Sequence, residues 1–286
     1  MTLDVVVVGN AGVDTNVYLA GADVDWSRES NFTENRDYVG QAGGYAARGY
    51  AQLGYRTGFI GSLGDDPAGG MVRAAFARDG IDQRGVFNDP SGTARSVNIM
   101  GSDGSRKNFY DGRGHLDLDP PRATEILAGV QLVHMNLANW ARHLIPGAHA
   151  AGATVACDLQ DVADLDDPYR RDFVDGAHYL FASAANSNGA ELARALMRRR
   201  PDATVVIGLG ARGCAVADAD GYEEFPAPPS DLPLVDTNGA GDSLAVGFLS
   251  ARVLDGLPVV AAVARGQAAA RWCCAQRAST DHLYRG

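Results

Sequence analysis

A chain of 286 residues, 46% hydrophobic and 21% charged, is long enough for one large α/β domain or two small ones, and it carries no low-complexity tract or evident linker. Its formal charge of −10 argues against a nucleic-acid partner, because phosphate backbones are bound through net positive surfaces; an anionic nucleotide would need a local site. Met1 is followed by Thr2-Leu3-Asp4 rather than a basic leader, no apolar run spans a membrane, and the four cysteines Cys157, Cys214, Cys273 and Cys274 form neither a disulfide framework nor a zinc motif, which together predict a reduced, cytoplasmic protein.

Taken along the chain, the run Leu3 to Val8 predicts a buried strand that enters the turn Gly9-Asn10-Ala11-Gly12 and reaches Asp14. Asn16 to Gln41 is polar and aromatic and breaks the pattern. A helix is expected near Gly44 to Leu53, a strand at Thr57 to Gly61 and a helix at Gly69 to Asp79. Ala94 to Met100 and Lys107 to Tyr110 flank the turn Ser102-Asp103-Gly104-Ser105 as a hairpin should. Strands follow at Val130 to Met135, Thr154 to Asp158, His178 to Phe181 and Thr204 to Ile207, with helices at His143 to Ala151, Ala190 to Arg199 and Ala261 to Ala275. This alternation implies βαβ units and a mostly parallel sheet covered on both faces. Cys273-Cys274, inside the last of these helices, reads as core packing.

Gly208-Leu209-Gly210-Ala211-Arg212-Gly213 fits G-x-G-x-x-G after a strand, the fingerprint of a dinucleotide-binding fold. That fingerprint must open a helix. Here Cys214 to Gly221 alternates and ends in a turn, so a second strand and hairpin are expected instead.

The richest stretch is Val235 to Leu249, where the small-residue turn Gly239-Ala240-Gly241 opens an apolar helix predicted over Asp242 to Arg252. Side chains this small let backbone N–H groups converge on an anion at the helix start. Asp242 falls in the first turn, where the helix dipole favours its ionised form by about 0.3–1 kcal/mol, so a lowered pKa is expected. Phosphoryl transfer tolerates such a base, since its loose transition state asks mainly for positioning and charge stabilisation.

Asp236-Thr237-Asn238-Gly239-Ala240-Gly241-Asp242-Ser243 followed by an apolar helix resembles the C-terminal signature of the ribokinase-like, or PfkB, carbohydrate and nucleoside kinases. The resemblance extends to the opening strand with Asp14, to Gly43-Gly44, and to Gly61 through Gly69, which is similar to the family's G-x-x-G-x-D-x-x-G element. It implies an α/β fold of three α/β/α layers as a single domain over residues 1–286. Lid strands near 15–41 and 91–112 would cover the sugar, shield ATP from water and pair two subunits into a homodimer.

It further implies an ATP- and magnesium-dependent kinase. Asp14, Gly43 and Gly44 would bind the acceptor, Asp242 would be the base, and Gly239, Ala240 and Gly241 would be the anion hole. Gly210, Gly213, Asn238 and Gln267 would lie on the nucleotide side, and Asp236 beside a potassium-type cation, with the loop Gln276 to Ser279 completing that site. The chain departs from the pattern at Arg48, where a sugar-contacting Asn is usual, and at Ser183-Ala184-Ala185-Asn186, where N-x-x-E organises magnesium. Gly208 and Gln267 depart likewise.

Arg48 turned inward would recognise an acidic substrate. Asn186 marks the magnesium region, with Asp158, Gln160 and Asp161 as candidate replacement groups. Aromatic Tyr18, Trp26, Tyr38 and Tyr45 leave a nucleoside substrate open, His115 after Gly112-Arg113-Gly114 is a candidate pocket-border residue, and a noncatalytic sugar-binding protein is the alternative of another class.

Overall fold

The structure is a computed structural model that describes residues 2–102, 106–111, 120–162, 167–184 and 188–286. Val5–Val8 (β1) is the central strand: Val5 and Val7 face one hydrophobic layer, Val6 and Val8 the other, and all four are fully buried. On one side β1 pairs in parallel with Thr57–Leu63 (β4), and β4 with Asp82–Asn88 (β5). On the other it pairs in parallel with Leu132–Met135 (β8), followed by Thr154–Asp161 (β9), Tyr179–Ser183 (β10) and Thr204–Gly208 (β11). Gly213–Asp218 (β12) and Gly221–Pro226 (β13) add an antiparallel edge. The strand and hairpin expected after Gly213 are therefore present.

Helices cover both faces. Gln41–Gln52 (α1), Pro67–Arg78 (α2), Ala240–Leu249 (α7) and Val259–Cys274 (α8) pack on one, and Pro120–Leu127 (α3), Ile145–Ala150 (α4), Pro168–Gly176 (α5) and Gly189–Arg199 (α6) on the other. Local signals set several starts: Asp66 accepts from the Gly69 N–H with Pro67 in the first turn of α2, and Asn188 caps α6 through the Ala190 and Glu191 amides.

Gly12–Leu19 (β2), Thr33–Gly40 (β3), Ala94–Met100 (β6) and Arg106–Asp111 (β7) form a separate small sheet in the order β3-β2-β6-β7. Its strands fall in the segments 15–41 and 91–112 apart from the first, which starts three residues earlier at Gly12. The chain leaves β1, builds this sheet and β4–β5 on one side, then crosses to β8 on the other. The carboxyl ends of β1 and β8 thus meet at a topological switch point, where open α/β sheets bind ligands.

Candidate active site

Asp14 stands on β2 just beyond this switch point and is 7% exposed. Its carboxylate accepts from the Gln41 backbone N–H at 3.2 Å and from Gln41 Nε2 at 2.5 Å, while the same amide donates to Ser96 Oγ at 2.8 Å. Gln41 takes a left-handed backbone, φ 64°, to make this double contact as α1 begins. Such a conformation in a non-glycine residue is held only where the surroundings over-determine it. Burial raises the Asp14 pKa, opposed by the Gln41, Ser96 and Tyr38 hydrogen bonds. Gly43 and Gly44 lie within α1 rather than before it, and the Gly43 N–H donates to Asn10 O at 2.9 Å, locking α1 against the end of β1. Across the crevice Asn10 Nδ2 donates to the lid's Tyr110 hydroxyl at 3.0 Å.

The second half of the site is the start of α7. Gly239 has φ 73°, and a Cβ there would sit 2.1 Å from the Tyr45 ring, so this turn admits no side chain. No side chain caps α7, and the Gly239 and Gly241 amides have no hydrogen-bond acceptor among the described residues. A Cβ on Gly241 would meet nothing within 4 Å. Open space, free amides and a helix start together suit a phosphate. Ala240 and Asp242 follow in the first turn, Asp242 partly open to the crevice.

The expectation of a lowered Asp242 pKa is overturned: the carboxyl is raised, first by burial and then by the charges of Asp158 and Asp14, against a smaller lowering by Arg106. The helix dipole is the weaker influence. Asp158, 7% exposed within β9, is likewise raised by burial. Three carboxylates therefore share one crevice.

Elsewhere the structure redraws individual expectations. Arg48 does not face the acceptor site. It is 2% exposed, its Nε 2.6 Å from Asp79 and its Nη1 2.8 Å from Asp281, with Thr280 Oγ1 at 2.7 Å. A guanidinium so fully committed recognises no substrate anion. Tyr38 and Tyr45 are buried with their hydroxyls 3.2 Å apart, and Tyr18 hydrogen-bonds Asp236 beneath the Arg277 guanidinium, so of the four aromatics considered for a nucleobase Trp26 alone is broadly exposed.

Gln267 Nε2 donates to Phe225 O at 2.8 Å, fastening α8 to the edge strand. Gly210 opens a single tight turn and Gly213 begins β12, together forming the hairpin beside which a nucleotide would lie. Asn238 Oδ1 accepts from Arg106 of the lid. Asp236 accepts from Asn16, Tyr18, Asn238 N and Ala278 N. Asn186 and His115 lie outside the described residues. Gln160 and Asp161 are exposed at the end of β9.

Residues that sequence reasoning passed over include Gln41, Asn10 and Arg106. Among the described residues no three His, Cys, Asp or Glu side chains gather as a metal cluster, and no helix is long and apolar enough to cross a membrane.

A mostly parallel, doubly covered sheet with a small β lid, a carboxylate on the lid's first strand and an uncapped helix start opposite define a ribokinase-like fold. Residues 3–283 match the pfkB family carbohydrate kinases, and the chain belongs to that family. It is 31% identical over 277 residues to acarbose 7(IV)-phosphotransferase of Actinoplanes sp. SE50/110, spanning 95% of this chain and 92% of that protein. Against fructoselysine 6-kinase of Escherichia coli K12 it is 30% identical, over 77% of this chain and 83% of the relative.

A microbiome-derived acarbose kinase superposes with a TM-score of 0.86 at 31% identity, covering 96% of this chain and 94% of the other. Arabidopsis thaliana ribokinase, solved with ribose and ATP, shares the fold at a TM-score of 0.79 and 22% identity, covering 98% and 95%. The protein is an ATP-dependent carbohydrate kinase.

Proposed function

We propose that this kinase transfers the γ-phosphoryl group of ATP to a primary hydroxyl, a hydroxymethyl group, of a sugar or sugar-like substrate, with Asp242 as base. The observation that carries the reading is the convergence of Asp14 and Asp242 on one lidded crevice, close enough that the Asp14 charge raises the Asp242 carboxyl.

Asp14, held by Gln41 and backed by Gly43 and Gly44, accepts hydrogen bonds from substrate hydroxyls and turns the acceptor oxygen toward α7. Asp242 takes the hydroxyl proton as the oxygen–phosphorus bond forms and the bond to the bridging oxygen of ADP breaks. Gly239 and Gly241 offer free N–H groups to the phosphoryl oxygens, where charge is greatest in transfer, while the Ala240 N–H between them makes a long bond to Thr237 O at 3.3 Å that a phosphate would have to replace. A raised carboxyl pKa suits this role, because a base is most effective when its affinity for the proton approaches that of its surroundings.

Magnesium, when bound with the nucleotide, neutralises triphosphate charge. Asp158 fits as its one protein-side carboxylate: it is oriented by the Gln160 N–H at 2.8 Å and sits within electrostatic reach of Asp242. Gly210, Gly213 and Gln267 would frame the adenine side, and Asn238 the phosphate side. The lid carries exposed Val97 and Phe109, opposite each other on β6 and β7, and exposed Phe32 just before β3, an apolar surface that suits a homodimer formed through the lid. The relatives described above are named for acarbose and fructoselysine, which makes compounds of those kinds the first to offer this chain, with nucleosides as the alternative.

The test is magnesium-dependent ADP release across pentoses, hexoses, amino-sugar glycosides, sugar acids, sugar phosphates and nucleosides, with Asp242→Asn alongside. A substrate whose phosphorylation is lost in the variant establishes the reading. Ligands that raise the melting temperature without any ADP release would replace it with a sugar-binding protein.

A further inference from the structure

Three asparagines stand in register across the lid. Asn16 on β2 lies opposite Asn98 on β6, and Asn98 opposite Asn108 on β7. Each passes a hydrogen bond in the same direction: Asn108 Nδ2 donates to Asn98 Oδ1 at 2.8 Å, Asn98 Nδ2 to Asn16 Oδ1 at 2.8 Å, and Asn16 Nδ2 to Asp236 Oδ2 at 2.7 Å. Asn16 is fully buried and Asn98 is 2% exposed. Amides aligned head to tail polarise one another, so the last donor is a strong one. Tyr18, two residues beyond Asn16 on the same face of β2, adds its hydroxyl to the same oxygen at 2.6 Å.

Asp236, 4% exposed, uses its other oxygen to accept the Asn238 N–H at 2.8 Å, which bends the chain into Gly239. Arg106 of β7 then donates to Asn238 Oδ1. The loop that leads into the anion hole is thus held from above, by lid side chains.

This arrangement does not fit a monovalent cation at Asp236. Such an ion takes oxygen lone pairs, whereas Asp236 meets an amide N–H, a phenolic O–H and two backbone N–H groups, and the nearby Asn238 oxygen already faces a guanidinium. Arg277, stacked 4.9 Å over the Tyr18 ring, brings a second positive charge to the same place.

We propose that the ladder Asn108–Asn98–Asn16, ending on Asp236, is a positioning device through which the lid holds the phosphate-binding loop in shape, so that this kinase needs no potassium-type cation there. The inference rests on the kinase reading and makes lid closure and loop ordering one event. Because Asp14 belongs to the same strand as Asn16 and Tyr18, sugar capture and nucleotide-site ordering share one mechanical element.

The test needs no known sugar. Binding of the nonhydrolysable analogue AMP-PNP with magnesium is measured by calorimetry in potassium chloride and in tetramethylammonium chloride at equal concentration, for the wild-type chain, Asn98→Ala and Tyr18→Phe. The wild type should bind equally in both salts, and each variant about 5–10-fold more weakly in tetramethylammonium. Circular dichroism shows whether a variant is folded, and Tyr18→Phe, which deletes one oxygen, keeps the test alive if Asn98→Ala is not. Once a sugar is known, kcat should fall in the variants while the sugar KM moves less than about twofold. Tighter wild-type binding in potassium, or wild-type affinity in both variants, overturns the proposal and leaves the kinase reading intact. A wild type that binds no nucleotide in either salt overturns both.

Discussion

Asp242 carries two opposed demands. In the proposed mechanism its carboxyl must be ionised to accept a proton, yet burial and the Asp158 and Asp14 charges hold its folded pKa above the unfolded value. Between those two values the folded chain binds more protons than the unfolded one, so stability falls as pH rises through that window, and because the folded value lies at about 7 the penalty is largely present at neutral pH and complete only above it. Asp242→Asn should therefore raise the melting temperature at pH 7 by a few degrees and leave it unchanged in acid, while turnover falls about 100–10,000-fold. A melting temperature lowered at pH 7 would contradict this balance.

The same charges set the pH profile. kcat/KM should decline on the acid side at a pH above the ordinary carboxylate range of about 4. Asp158→Asn, which removes a charge that raises Asp242, should shift that limb to lower pH. A limb that stays in place would detach Asp158 from the base.

The start of α7 separates two glycines that the sequence presents as equivalents. Gly239 has a left-handed backbone and lies against the Tyr45 ring, so Gly239→Ala forces backbone and ring apart and should cost about 1–3 kcal/mol of stability, seen in denaturant unfolding. Gly241 has open space where its Cβ would be, so Gly241→Ala should fold with near wild-type stability. The added methyl would instead occupy phosphate space, and the expected loss is in ATP affinity, read by calorimetry. Equal stability for the two variants would remove this distinction between a conformational and a ligand-facing glycine.

At the scale of the whole molecule, Arg48 binds three parts of the chain together. It bridges α1 to Asp79 after α2, and to Thr280 and Asp281 near the C-terminus, where Thr280 Oγ1 also donates to Val39 O at 2.6 Å. Arg48→Ala leaves Asp79 partly buried without its partner. It should lower stability by about 3 kcal/mol with sugar KM essentially unchanged, as kinetics below the new melting point would show. A raised KM at full stability would restore Arg48 to the sugar.

Arg48 also marks where sequence stopped being sufficient. Alternating apolar runs exposed the sheet, because a buried parallel strand must be apolar on both faces, and Gly239 to Asp242 stood out because their chemistry is local. The β5 strand was not legible because Asp82, Gln83 and Arg84 are polar where a buried strand is apolar, and α3 and α5 were not because their eight and nine residues are too few for a clear helical pattern. The direction of Arg48 depends on Asp281, and the sign of the Asp242 shift on Asp158, contacts that no local window contains. The asparagine ladder left one trace: Asp14, Asn16 and Tyr18 alternate on one face of a strand.

The order of these contacts along the polypeptide has a consequence during synthesis. Lid, Asp14 and central strand are made first, whereas Asp236 follows its partner Asn16 by 220 residues and Thr280 follows Val39 by 241, stretches that a ribosome adds over roughly 10–50 seconds. A nascent chain accordingly holds the lid without the loop that its asparagines engage. Until Asp236 is made, buried Asn16 has no carboxylate to face, and Asn98 donates to a partner that is itself unanchored, so lid and loop join late.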